Sequence, residues 1–125
     1  MKQLSNFIRI MPLSDYESFD GTNMSGSTEP DLILAKNNLQ YDEVPQPGSA
    51  GVIFNQSLGL ITDDKLNAAQ RKKYANLRPV VVLIFDENGV PVLWGTDDER
   101  LRIMVTPKPD RDVLEFDRKS VTPLF

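Results

Sequence analysis

The longest apolar run lies at residues 80–96, "VVVLIFDENGVPVLWGT", and Asn88-Gly89 interrupts it. Asn-Gly between two apolar runs is a strong hairpin signal, because both residues tolerate the positive φ of a two-residue type I′ turn. With these two residues as the turn, Glu87 pairs with Val90, Phe85 with Val92, and Leu83 with Trp94. Phe85, Val92, Leu83, Trp94 and Val81 then share one face, and Ile84, Leu93, Val82 and Val80 the other. Both faces are apolar, so each needs a cover.

A second hairpin follows. "RLRIMVT" alternates Leu101, Ile103 and Val105 with Arg102 and Met104; "PKPDRD" turns the chain; "VLEFDRKS" returns with Leu114 and Phe116 on a common face. Near the start, Phe7, Ile8, Ile10 and Met11 predict a short strand within residues 3–11 that ends at Pro12. It is read as an edge strand, since proline lacks a ladder donor. Residues 14–30, "SDYESFDGTNMSGSTEP", predict an extended loop or an arm. It is either a surface loop or a segment ordered on a neighbouring chain through Tyr16, Phe19 and Met24.

"DLILA" starts a short strand or a helical turn, and "NNLQYDEVPQPGSAG" reads as a second loop. "GVIFNQSLGLIT" reads as two short strands broken near residues 55–57, with a bulge at Gly59. "TDDKLNAAQRKKYANL" predicts the one helix, capped by Thr62 or Asp63, with cations toward its end and Pro79 beyond it. Leu66, Ala69, Gln70, Tyr74 and Leu77 form its apolar side. The sum is a mainly β (α+β) single domain over residues 1–125. It is an antiparallel hairpin meander rolled into a small barrel or sandwich, with one helix against it. A tail over residues 120–125 ends on Leu124 and Phe125, which dock on the domain's own core or on a partner.

Composition narrows the chemistry. The 125 residues include no histidine and no cysteine. This removes the commonest general base, the commonest metal ligand, thiolate zinc sites and cysteine nucleophiles. The net charge of −4 argues against non-specific nucleic-acid binding. No apolar run suits a signal peptide or a membrane span, so synthesis and use in the cytoplasm, or in something assembled there, is expected. "QPGSAG" lacks the Lys-Ser/Thr of a phosphate-binding loop and reads as a flexible loop. Asp63-Asp64 and Asp97-Asp98-Glu99 are the candidate cation or catalytic clusters. The first suits a helix N-terminus and the second a turn, so neither metal nor cofactor is expected.

The ribbon's second face therefore has two possible covers, the helix or another copy of the chain. In the second case Ile84, Leu93 and Trp94 form the interface with Tyr16, Phe19, Met24, Leu124 and Phe125. Other readings are a monomeric carbohydrate- or ligand-binding β-domain with Trp94 as a stacking platform, and a metal-dependent hydrolase built on residues 97–99.

"RPVVVLIFDENGVPVLWGTDDERLRIMV", a polar turn and "VLEFDRKSVTPLF" together resemble small structural proteins encoded in neck and tail gene clusters of tailed phages and prophages of gut Bacteroidetes. The crAss-like group is one candidate. The residues that carry the resemblance are Leu93, Gly95, Thr96, Arg100, Leu101, Phe116, Arg118, Ser120 and Pro123, within residues 78–125; nothing in residues 1–61 shares it. The resemblance implies a non-enzymatic virion component at the head–tail junction or in the tail. Its partners would be copies of itself in a ring and other neck or tail proteins, with neither membrane nor sequence-specific nucleic acid involved.

Overall fold

The computed structural model describes every residue except Met1, Asn38, residues 49–50, 75–77 and 97–99, Thr122 and Phe125, and gives only the backbone of Lys2 and Gln3. The strands are β1 (Lys2–Pro12), β2 (Tyr16–Phe19), β3 (Met24–Gly26), β4 (Asp31–Leu34), β5 (Gln40–Gly48) and β6 (Gly51–Ile61). After helix α1 (Ala68–Lys73) come β7 (Pro79–Asp86), β8 (Pro91–Trp94), β9 (Leu101–Pro107) and β10 (Asp112–Ser120). The expected class holds: the fold is mainly antiparallel β with one short helix.

Eight strands form one sheet in the order β4-β1-β5-β6-β10-β9-β7-β8, and an added β1–β7 pairing joins its two sides. The ring β1-β5-β6-β10-β9-β7 is therefore closed into a barrel, with β4 beside β1 and β8 beside β7. Closure removes most free edges. Small barrels are filled by side chains, and this one is filled by Leu4, Ile8, Ile10, Tyr41, Leu58, Leu60, Val82, Ile84, Trp94, Leu101, Ile103, Leu114 and Phe116, among others.

Several local expectations are corrected. β1 is no edge strand: it pairs with β7 on one side and with β5 and then β4 on the other. Pro12 is tolerated as its last residue. The segment read as a second loop contains β5, paired with β6 from Gln40↔Gly59 to Gly48↔Gly51. Its prolines, Pro45 and Pro47, stand at alternate positions, so Val44 and Gln46 are left to carry the hydrogen bonds to β6. β6 is continuous, with unbroken pairing to β10 from Ile61 to Phe54 and no bulge at Gly59.

The helix is shorter than its sequence signal. Asn67 caps it, its side chain accepting from Gln70 N while Gln70 Oε1 accepts from Asn67 N. Thr62 is held elsewhere, in a bridge to Ala35, and its Oγ1 accepts from Asp112 N at 3.0 Å. Buried Asp112 accepts from Leu66 N at 2.7 Å and lies 3.5 Å from Arg71 NH2. These tertiary bonds keep residues 62–66 out of the helix. Leu77 lies outside the described residues.

The β7–β8 hairpin is offset by one residue from the Asn-Gly expectation. Val82 faces Trp94, Leu83 faces Leu93, and Phe85 faces Pro91. The loop is Glu87-Asn88-Gly89, with Gly89 at φ 80° and Asp86 Oδ1 accepting from the backbone N of Asn88 and of Val90. A three-residue loop with a left-handed glycine thus replaces the two-residue turn. The shift exchanges partners and faces. Trp94 joins Val82 and Ile84 inside the barrel, while Leu83, Leu93 and Phe85 face outward.

Candidate assembly surfaces

The segment expected as an arm folds against its own chain. A 3-10 turn at Leu13–Asp15 leads into the β2–β3 ribbon. Met11, Met24, Val81 and Leu83 form a second buried cluster, with Leu13, Tyr16, Phe19, Phe85 and Leu93 packed on it. Within the chain the outer hairpin face is thus covered by residues 13–26 and not by the helix. Gly26 fits here because it touches Asp15: a Cβ would lie 2.0 Å from the Asp15 carbonyl oxygen.

Seven of the eight predicted interface residues fall into two groups. Tyr16, Phe19, Met24 and Leu93 meet in the outer cluster. Ile84 and Trp94 belong to the barrel core, and half-buried Leu124 packs against it. Phe125 lies outside the described residues. Trp94 is 1% exposed and offers no open face for stacking a sugar.

A polar network lies beside Trp94. Trp94 Nε1 and Arg118 NH1 both donate to Gln56 Oε1, at 2.8 and 3.1 Å. Glu43 Oε1 accepts from Tyr41 OH at 2.8 Å, Gln56 Nε2 at 3.1 Å and Leu124 N at 2.8 Å. One carboxylate oxygen thus ties β5, β6 and the tail. Burial, then the hydrogen bond and negative charge of Glu43, push the Tyr41 phenol well above its ordinary value, while the charge of Arg118 opposes them. The Tyr74 phenol is also pushed up, by burial first and then by its hydrogen bond to Asp31.

Of the acidic clusters, Asp63 and Asp64 are exposed and line a shallow depression with Lys65, Leu32 and Leu34. Residues 97–99 lie outside the described residues. Among the described residues no group of three acidic side chains is placed to hold a metal, and no helix is long and apolar enough to cross a membrane.

Apolar side chains also remain exposed outside these clusters. The β5–β6 ribbon runs past the barrel: β10 accompanies β6 only as far as Phe54, and β1 meets β5 only at Gln40 and Tyr41. Its tip exposes Val52 and Ile53, and Val44, opposite Asn55, is exposed just before it. A second apolar area lies on the outer face of β4 and β1, where Leu32 and Leu34 stand opposite Arg9 and Phe7. Phe7 in turn lies against Phe85, with ring centroids 4.8 Å apart. The sequence signal for the ribbon was the spacing of the two prolines, which leaves one edge of a strand intact.

No family model matches the chain, and no solved structure matches it significantly. Over 88 residues, 67% of the chain, it is 28% identical to the A-B subunit of chromatin assembly factor 1 from Xenopus laevis. The matched stretch spans 10% of that protein's length.

Proposed function

We propose that the protein is a non-enzymatic structural component of a phage particle, packing in a ring at the head–tail junction or in the tail. The observation that carries this reading is the β5–β6 ribbon, whose tip projects beyond β10 with Val52 47% and Ile53 41% exposed, next to Val44 at 55%. A two-stranded ribbon is at best marginally stable alone in water, and a docking surface stabilises it. The resemblance of residues 78–125 to phage neck and tail proteins supports the setting. Ile84 and Trp94 are spent inside the chain, so the ribbon supplies the contact in their place. Burying a few hundred Å² of apolar surface contributes several kcal/mol at ~25 cal/mol per Å², before association costs, and a closed ring repeats the contact.

Light scattering across a wide concentration range tests the proposal. The expected result is a closed oligomer whose population grows with concentration and disappears in Ile53→Glu, while the variant keeps its thermal midpoint. A wild-type chain that stays monomeric at millimolar concentration overturns it.

A further inference from the structure

The geometry points to the Arg9 face of a second copy as the seat of the β5–β6 ribbon. This rests on the assembly reading above and names its contact.

The ribbon's free edge has unusual chemistry. Pro45 and Pro47 face Phe54 and Val52 in the ladder, and a proline cannot join a hydrogen-bonded pair. The outward backbone groups at positions 45 and 47 are therefore carbonyls with no N–H between them. Such an edge cannot accept another strand, which needs alternating donors and acceptors. It suits a group that only donates. Residues 40–61 also contain the exposed Asp42 and no lysine or arginine.

Arg9 is such a donor. It sits on the outer face of β1, opposite Leu32 of β4 and Leu83 of β7. It is half-buried, its Nε is buried without a hydrogen-bond partner, and among the described residues no carboxylate forms an ion pair with it, so the terminal nitrogens are the donors for a second copy. A guanidinium offers five donors in a planar fork. Exposed Leu32 and Leu34 flank it, as the ribbon's Val44 and Ile53 flank their carbonyls.

The two surfaces cannot meet within one chain. Lys2 pairs with Tyr41 and Gln3 with Gln40, so β5 runs toward its tip as β1 runs back toward its start. Arg9 lies seven residues the other way, ~23 Å at strand rise. Ribbon and seat are thus at opposite ends of the molecule. A contact between them is head-to-tail, the kind that closes into rings.

The chain has no cysteine, so single-cysteine variants report the contact directly. Ile53→Cys and Leu34→Cys, both at exposed positions, are mixed and oxidised, with Ser57→Cys as the control site. The mixed Ile53–Leu34 dimer is expected in several-fold excess over either self-pair and over any pair with the control. Arg9→Gln should lower its yield several-fold without lowering the thermal midpoint. Oligomers that form with Ile53 self-pairs dominant, or with no preference, overturn this seat and leave assembly standing. A chain that light scattering finds monomeric throughout, with no preferred cross-link, overturns both.

Discussion

The indole Nε1 of Trp94 donates to Oε1 of Gln56 across the barrel interior, 2.8 Å away and 38 positions apart in the chain. Gln56 is 1% exposed and also takes a hydrogen bond from Arg118 and gives one to Glu43. Its replacement by leucine leaves the buried Trp94 Nε1 without its acceptor and removes one contact each from Arg118 and Glu43. We expect Gln56→Leu to lose about 3 kcal/mol. Urea unfolding followed by the fluorescence of Trp94, the sole tryptophan, measures this. A loss below ~1 kcal/mol would mean that water or rearrangement replaces the network.

Gly95 and Gly21 share a left-handed backbone, at φ 99° and 97°, but differ in their surroundings. A Cβ on Gly95 would lie 2.7 Å from the Val80 carbonyl oxygen and 2.9 Å from Leu101 Cβ, whereas none of the described atoms lies within 4 Å of one on Gly21. Gly95→Ala should cost about 3 kcal/mol or more, and Gly21→Ala about 1 kcal/mol. Thermal midpoints of the pair check the ranking.

Gly26→Ala should act locally. Its Cβ would overlap the Asp15 carbonyl, with the Met11 sulfur 3.2 Å away. The β2–β3 ribbon must lift, uncovering Met11, Val81 and Leu83, while the barrel keeps its own core. Limited proteolysis should cut within residues 13–28 at least tenfold faster than in the wild type. Unchanged cutting would mean that the ribbon shifts without detaching.

Asp112 is fully buried and holds the 62–71 connection through Leu66 N and its neighbours Lys65 and Arg71. Asp112→Ala leaves a buried amide without a partner and removes the anchor of the segment before α1. A loss of about 3 kcal/mol in urea unfolding is expected.

Tyr41 and Tyr74 are both held protonated by the fold. An unfolded tyrosine ionises near pH 10, as a rough reference. Above that, the unfolded chain releases protons that the folded chain keeps, so stability falls as pH rises. The contribution is complete below about pH 10 and is lost progressively above it. Alkaline titration at the tyrosinate band should show these two phenols ionising together with the loss of the Trp94 environment. Their ionisation in a still-folded chain would contradict the burial described here.

The β9–β10 hairpin was legible because its alternation is unambiguous: Leu101 and Ile103 pack inward with Leu114 and Phe116. The β7–β8 hairpin was legible as an element but not in register. Asn88-Gly89 satisfies two loop types, and the side chain of Asp86 selects the longer one. Because strand side chains alternate, that single step decided which face carries Trp94. β5 was hidden because prolines usually break strands. The helix was over-extended because Asp112 draws residues 62–66 out of it, a bond spanning 46 positions.

Residue order alone determined the β-rich class, the two C-terminal hairpins and the absence of histidine and thiol chemistry, since these depend on local alternation and on which side chains exist. Only the tertiary structure decided that β1 closes a barrel, that residues 13–26 cover the hairpin's outer face, and that the β5–β6 ribbon is left projecting. Each of these depends on which distant segment wins a shared surface. A local pattern records that a face is apolar, and the partner that covers it is set by the packing of the whole chain.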